Sequence, residues 1–225
     1  MSSHDRKDLA PDTLCIHAGW DPDPAYGSVA PPIYQTSTFA FRSADHGAAC
    51  FRGEPGYKYT RLGNPTIEAL ETNIATLEGG CGGLGAASGM AAVNMVYLAF
   101  LGQGTHVAAT ESLYGPSRMI LETEYPRFGV ESTFVDTSDP ANLAAAMRDN
   151  TKLVYVETPA NPTLKLTDIA ACAKIAHDAG ALLVVDNTFA SPSHRSTPSR
   201  YSRSRYSRGR PRRSMVPCRP VDSST

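Results

Sequence analysis

Residues 152–187 read KLVYVETPANPTLKLTDIAACAKIAHDAGALLVVDN, with two apolar runs on either side of one helical pattern. The runs KLVYVET (152–158) and ALLVVDN (181–187) are nearly continuous in apolar residues, which predicts strands buried on both faces. Between them, LTDIAACAKIAHDAG has the apolar spacing of a helix, and Thr167 is its predicted N-cap. Strand, helix and strand in this order predict a parallel pair joined by a crossover helix.

The same alternation extends towards the N-terminus and predicts an α/β fold, with a mostly parallel sheet and helices on both of its faces. Two further strands are predicted at THVAAT (105–110) and VESTFVD (130–136). Helices are predicted at PTIEALETNIATLEGG, ASGMAAVNMVYLAFLGQG, PSRMILETEY and DPANLAAAMRDN, the last of them capped by Asp139. Ile67, Leu70, Ile74 and Leu77 would share one face of the first of these helices.

Composition divides the chain into three predicted ranges. Residues 1–60 are rich in proline and weakly periodic, which predicts an N-terminal arm. Residues 61–192 carry the partial α/β domain, and residues 193–225 form a low-complexity Ser/Arg/Pro tail that we expect to be disordered. Nine arginines and one aspartate give this tail a net charge of +8, so the remaining chain carries −9.

The chain shows no signal for export or for a membrane span. Its first residues, MSSHDRKDLAPDT, have no apolar region, and no run of 18 apolar residues occurs. The five cysteines are scattered and form no C-x-x-C, which indicates free thiols in a reducing compartment and predicts a cytoplasmic protein. No H-E-x-x-H motif is present, and we predict no metal site.

Three positions in the predicted α/β domain could carry chemistry. They are a helix start suited to a phosphate, a carboxylate that could be a metal ligand, a base or the partner of a protonated ring nitrogen, and a tyrosine that could stack on a planar cofactor. Ser88, Gly89 and Met90 begin an apolar helix, where free backbone N–H groups and the helix dipole favour an anion. Asp186 ends a strand, and Tyr114 follows another, at the edge where open parallel sheets bind ligands. Taken singly, each also fits a structural role: a bare helix start, a loop-fixing aspartate and a half-buried tyrosine.

Two further stretches carry weaker signals. Tyr59 and Arg61 in KYTRLGNPT could clamp a phosphate, or could be an exposed pair on a loop. The stretch GCGGLG (80–85) matches the dinucleotide pattern G-x-G-x-x-G only formally. It follows a helix, whereas the dinucleotide motif follows a strand.

Five blocks, YTRLGNPT, ASGM, SLYGPSR, VETPANP and VVDNTFASP, occur in this order. Together they resemble the pyridoxal-phosphate (PLP) enzymes of cysteine and methionine metabolism over residues 13–192. This family includes methionine γ-lyase, cystathionine γ-lyase and γ-synthase, and O-acylhomoserine sulfhydrylase. The resemblance implies an aminotransferase-like fold (PLP fold type I), incomplete here. It also implies the cofactor PLP, a sulfur amino acid or acyl-homoserine substrate, and a homotetramer.

The resemblance also assigns residues to the cofactor phosphate. Gly89 and Met90 would donate backbone N–H groups to it. Tyr59 and Arg61 would reach the same phosphate from the neighbouring subunit, which makes the family's site a construction of two chains.

Three more residues are assigned to the cofactor ring. Tyr114 would stack on the pyridine ring and take part in acid–base steps, which makes it the predicted catalytic residue. Asp186 would pair with the pyridinium nitrogen, and Asn161 would lie near the ring.

The chain departs from the family after Pro192. The family continues with a Ser-x-Thr-Lys-like segment whose lysine forms the Schiff base with PLP. None of the five lysines here (Lys7, Lys58, Lys152, Lys165, Lys174) lies in such a segment. Covalent attachment at the usual site is therefore not possible, and we expect this chain to be inactive.

The Ser/Arg/Pro text after Pro192 is typical of a reading-frame shift in a GC-rich gene. The alternative is a non-catalytic protein with a Ser-Arg tail that binds RNA, or nucleic acid weakly and without specificity, through its phosphates.

The specific reaction stays open between β- and γ-chemistry. GAACFRGE (47–54) favours a methionine γ-lyase. Pro116 counts against it, because methionine γ-lyases usually carry a cysteine two residues after the stacking tyrosine. An O-acetylhomoserine or O-succinylhomoserine sulfhydrylase and a cystathionine γ-lyase or γ-synthase are the alternatives.

Overall fold

The structure, a computed structural model, describes residues 9–190 and divides into two compact units between Gly85 and Ala86. This division differs from the predicted ranges 1–60 and 61–192, and that domain assignment stays a prediction. The predictions for the tail, including its disorder and its binding of nucleic acid, lie outside the described residues.

Between residues 9 and 85, the N-terminal unit contains three helices, α1 (Pro11–His17), α2 (Ala44–Phe51) and α3 (Pro65–Glu78). Residues 18–43, between α1 and α2, are mostly irregular. Asn64 caps α3 by accepting the N–H of Thr66 at 2.9 Å, and Pro65 occupies the first helical position, where a missing N–H costs nothing.

The packed face of α3 is a face of small and polar residues. Ala69 is buried, and the Asn73 side chain donates to the carbonyls of Leu14 and Ala18 at the end of α1. Gly19 has φ +81°, and a Cβ there would lie 2.2 Å from the Ala69 carbonyl oxygen, so only glycine permits this approach. Three residues of the predicted apolar face are exposed instead: Ile67, Leu70 and Ile74.

The C-terminal unit alternates helices and strands as predicted, and its strands begin and end within a few residues of the predicted ones. In chain order its elements are α4 (Gly89–Phe100), β1 (His106–Thr110), α5 (Gly115–Thr123), a 3₁₀ turn (Tyr125–Phe128), β2 (Glu131–Val135), α6 (Pro140–Ala146), β3 (Thr151–Glu157), α7 (Ile169–Asp178) and β4 (Leu182–Asp186).

The four strands form one parallel sheet in the order β2–β1–β3–β4. Because all the strands run the same way, their carboxyl ends meet at one edge. The register of the last pair places Glu157, the end of β3, beside Asp186, the end of β4. The parallel sheet predicted from the sequence is therefore confirmed.

Alternate residues of the strands enter two separate hydrophobic cores, one on each face of the sheet. On one face, Val107 and Ala109 of β1 pack with Tyr97 of α4 and Leu121 of α5. On the other face, Ala108 packs with side chains of α6 and α7, including Leu143 and Cys172. This period of two is the reason that the strands read as continuous apolar runs.

One of the two predicted capping residues is confirmed. Asp139 caps α6 by accepting the N–H of Ala141 at 2.9 Å. The prediction that Thr167 caps α7 is wrong: Asp168 caps it, accepting the N–H of Ala171 at 3.0 Å. The Thr167 hydroxyl instead lies 2.8 Å from that of Thr137, which fixes the loop before α7.

Within residues 9–190, no helix has the length and apolar character needed to cross a membrane. The four cysteines in this range (Cys15, Cys50, Cys81, Cys172) carry free thiols, as predicted.

His106 ties three strands together at the amino edge of the sheet. It is fully buried, and its Nδ1 and Nε2 lie 2.8 and 2.9 Å from the hydroxyls of Thr151 on β3 and Thr133 on β2. Each hydroxyl also accepts an N–H of Arg148, one from its backbone and one from its guanidinium. A neutral imidazole, with one donor and one acceptor, fits this arrangement.

This network predicts a loss of stability on acidification. Burial and the Arg148 guanidinium hold the pKa of His106 below its ordinary value of 6.5, although Glu131 acts in the opposite direction. The unfolded chain therefore takes up the proton first as pH falls below 6.5. The stability that neutral His106 contributes above pH 6.5 is lost as the pH falls through its folded-state pKa. This contribution is about 1.4 kcal/mol for each unit by which folding lowers the pKa.

The measurement is the urea midpoint of the 225-residue chain at pH 7.5 and 5.5, beside that of His106→Gln. We expect the wild type to lose more stability over this interval than the variant, which cannot titrate at this position. An equal loss in both proteins would show that His106 does not contribute to the acid sensitivity.

Candidate cofactor site

A cavity of about 440 Å³ lies at the carboxyl edge of the sheet in the C-terminal unit. It opens where β3 and β4 end and where α4 and α5 begin. Its walls are mostly apolar side chains, among them Val93, Val96 and Val184. Five of the seven residues predicted from the sequence line it: Gly89, Met90, Tyr114, Asn161 and Asp186.

The first turn of α4 supplies free N–H groups at one side of the cavity. Ser88 is the N-cap, and its hydroxyl accepts the N–H of Ala91 at 3.1 Å. The N–H groups of Gly89 and Met90 have no acceptor within the helix, because its first turn has no preceding carbonyls. No acidic side chain occupies this turn. The positive end of the 12-residue helix therefore remains available to an anion.

Tyr114 stands at the start of α5. It is the N-cap residue, about half of it is exposed, and it lines the cavity. An exposed aromatic face beside an apolar cavity suits a planar ligand that stacks. Asn161 lies in the loop after β3 and places an amide at the same cavity.

Three donors orient the carboxylate of Asp186. Oδ1 accepts the N–H and the hydroxyl of Thr188, at 3.2 and 2.7 Å. Oδ2 accepts the hydroxyl of Tyr155 at 3.2 Å. Burial, with the neighbouring Tyr97 and Asp186, raises the pKa of Tyr155, so that its phenol stays protonated and remains a donor.

Tyr59 and Arg61 lie in the N-terminal unit. The backbone of Tyr59 forms an antiparallel bridge with Thr38, and the Arg61 guanidinium lies 5.2 Å from the centre of the Tyr59 ring. Both line a depression of that unit together with Tyr34 and Thr36. This exposed aromatic–guanidinium pair offers a cation and a phenol, both suited to a phosphate.

Among residues 86–190, no lysine lines the cavity. Lys165 is held by Glu111 at 3.3 Å and by Asp136 at 2.7 Å, and Lys174 pairs with Asp178 on the surface of α7. Lys152 lies near the start of β3, at the opposite end of the strand from the cavity.

Two residues of the site were not predicted from the sequence. Tyr155 and Glu157 both line the cavity, and both belong to β3. Glu157 ends its strand as Asp186 ends β4, so an acid at a strand tip was a usable signal for it. Tyr155 offered none, because an aromatic residue inside an apolar strand reads as core.

The donor set fits PLP. The start of α4 suits the phosphate of PLP, and the exposed face of Tyr114 suits its planar ring. The Asp186 carboxylate suits a protonated ring nitrogen. The cavity volume lies within the ~300–1,000 Å³ of typical small-molecule sites.

Comparisons with known proteins agree with this fit. Residues 12–199 match the family described as Cys/Met metabolism PLP-dependent enzymes. The chain is 50% identical over 182 residues to an L-methionine γ-lyase of Fusobacterium nucleatum, covering 80% of this chain and 46% of that protein. It is 42% identical over 187 residues to an O-acetyl-L-homoserine sulfhydrylase of Leptospira meyeri, covering 83% and 42%.

A solved structure shows the same fold. It is a cystathionine γ-lyase of Lactobacillus plantarum complexed with L-serine, with a TM-score of 0.74 and 41% identity, covering 82% of this chain and 46% of that one. The chain thus spans about half the length of the relatives it matches. The predicted aminotransferase-like α/β fold and the resemblance are confirmed, and the chain belongs to the Cys/Met metabolism family of PLP-dependent enzymes.

Proposed function

We propose that this chain carries the PLP-binding half of an enzyme that eliminates or replaces groups at Cβ or Cγ of a sulfur amino acid. The observation that carries the proposal is the meeting of an anion-binding helix start, an exposed aromatic ring and an oriented carboxylate around one cavity. Bound PLP supplies an electron-withdrawing ring that stabilises negative charge at the substrate Cα.

Each of the five residues has its own task at the cavity. Gly89 and Met90 donate backbone N–H groups to the phosphate, and Tyr114 stacks on the ring and moves protons with its hydroxyl. Asp186 holds the ring nitrogen in its protonated form, and Asn161 contacts the ring edge. In the intact enzyme, Tyr59 and Arg61 would bind the phosphate from a neighbouring copy in a homotetramer.

We propose methionine γ-lyase chemistry first. GAACFRGE in the N-terminal unit and the 50% identity to a methionine γ-lyase support this choice. Pro116, which occupies the first turn of α5 beside Tyr114, favours the second candidate, an O-acetylhomoserine sulfhydrylase or a cystathionine γ-lyase. The free thiols support a reducing compartment such as the cytoplasm.

We further propose that the 225-residue chain binds PLP without turning over substrate. The support is the cavity lining, which has acid, phenol and amide groups but no lysine among the described residues. Without a lysine amine at the ring, residues 9–190 offer no covalent anchor and no strong base at the substrate Cα.

The test is PLP absorbance during dialysis, followed by borohydride reduction and mass spectrometry. We expect PLP to bind at a stoichiometry near one, to leave on dialysis, and to leave no single lysine quantitatively labelled. Quantitative labelling of one lysine, or turnover of L-methionine or O-acetylhomoserine at ~1–10³ per second, would contradict the proposed inactivity.

The phosphate role of α4 can be tested by removing one N–H without breaking the helix. Gly89 is the first helical residue, where proline is tolerated, and Ser88 before it has the extended backbone that proline requires. A Cβ at Gly89 would meet nothing within 4 Å. Gly89→Pro should weaken PLP binding about tenfold or more, because the phosphate loses one charge-assisted hydrogen bond.

Gly89→Ala is the matched control, because it adds a Cβ and keeps the N–H. We expect its PLP affinity to stay near that of the wild type in the same spectroscopic titration. Equal PLP affinities for the proline and alanine variants would show that the phosphate does not bind at the start of α4.

A further inference from the structure

The end of β3 carries a buried carboxylate with no assigned role in the reaction. Glu157 is only 3% exposed and lies beside Asp186 in the sheet register. A buried charge is costly unless hydrogen bonds replace the lost water. The hydrogen-bond partners of Glu157 therefore indicate its structural role.

Both oxygens of Glu157 accept backbone N–H groups from cavity loops. Oε2 accepts the N–H of Tyr114 at 2.6 Å, and Oε1 accepts the N–H of Asn161 at 3.2 Å. Tyr114 follows β1 and opens α5, whereas Asn161 belongs to the loop after β3. One rigid group at the tip of a buried strand thus ties two separate loops.

The start of α5 depends on this carboxylate. Tyr114 is its N-cap but forms no side-chain cap, and no acidic residue lies in the first turn. Glu157 therefore places the nearby negative charge that stabilises the positive end of this helix. The backbone N–H of Tyr114 is held while its ring remains exposed at the cavity.

We infer that Glu157 is a positioning residue, which holds Tyr114 and Asn161 at fixed places over the cavity. The inference rests on the proposed cofactor site, because those two residues matter there for the ring of PLP. Glu157 acts through them. Its two oxygens are engaged by the backbone, so the group that touches the ring is the tyrosine or the asparagine.

The first experiment needs no cofactor. Glu157→Gln keeps the shape but replaces one oxygen by an NH₂ group, so the side chain can accept only one of the two N–H groups. Glu111→Gln is the matched control: Glu111 follows β1 at the same edge, is exposed, and pairs with Lys165. Hydrogen exchange of individual amides is measured by NMR on the 225-residue chain.

In Glu157→Gln, we expect the amide of Tyr114 or Asn161 to exchange at least ~10-fold faster than in the wild type. The amide of Ala176 on α7 should keep its rate, and Glu111→Gln should match the wild type throughout. Wild-type rates at both Tyr114 and Asn161, or equal acceleration over the whole sheet, would overturn the inference.

If Glu157→Gln does not fold, Glu157→Asp replaces it in the same measurement. This variant keeps the charge but is one methylene shorter, so it cannot reach both N–H groups. We expect it to lose protection at one of the two amides, and full protection at both would overturn the inference.

The second experiment adds PLP to the same proteins. We expect Glu157→Gln to bind PLP more weakly and to change the visible circular dichroism per bound PLP, which reports how the ring is held. Combining it with Tyr114→Ala should add little to the effect of Tyr114→Ala alone, because both act on one contact. Wild-type affinity and dichroism in Glu157→Gln would overturn the inference.

These two experiments separate the inference from the proposed function. If the wild-type chain binds no PLP, the proposed cofactor site fails, and amide exchange still decides whether Glu157 holds the two loops.

Discussion

The parallel pairing of β3 with β4 is the constraint on which the site depends. Its register sets two carboxylates, Glu157 and Asp186, side by side at the ends of two buried strands. Like charges in this position persist only if each has donors of its own. Glu157 takes backbone N–H groups from two loops, whereas Asp186 takes the hydroxyls of Thr188 and Tyr155. A slip of one residue by either strand would turn its own acid to the other face of the sheet and separate the two.

The two hydrophobic cores hold the strands in place, and the strand ends determine where the cavity loops begin. Val107 and Ala109 point into one core and Ala108 into the other, so β1 is held from both faces. Tyr155 connects the first of these cores to the site, since its ring packs against Tyr97 and its hydroxyl donates to Asp186. The cavity thus takes its lining from helices, strands and loops, and its two acids stand at the ends of strands.

The sequence was most informative where one interaction dominates. Nearly continuous apolar runs predicted β3 and β4, because strands in the interior of a parallel sheet carry few polar residues. Asp139 was found as a cap because Asp followed by Pro has few other uses. Thr167 was misassigned, since a hydroxyl and the adjacent Asp168 can both cap a helix. The choice depends on Thr137, which is distant in sequence.

Long-range geometry explains what the sequence could not supply. The apolar residues of α3 suggested its packed face, but the close approach of Gly19 selects the side with Ala69 and Asn73. Tyr155 joins the site through a bond to Asp186, 31 positions away, and Glu157 ties Tyr114, 43 positions away, to it, so neither contact follows from the local sequence, although the place of Glu157 at a strand tip was a signal. His106 is similar, because its two hydroxyl partners come from two other strands.

The position of His106 has a consequence for how this protein responds to pH. Its network lies at the amino edge of the sheet, and the cavity lies at the carboxyl edge of the same strands. Acid therefore acts through His106 on the joining of strands at the amino edge, and the hydrogen bonds of His106 go to Thr151 and Thr133, neither of which lines the cavity. A substitution of His106 would then change how the stability of the fold falls with pH and leave the hydrogen bonds at the cavity in place.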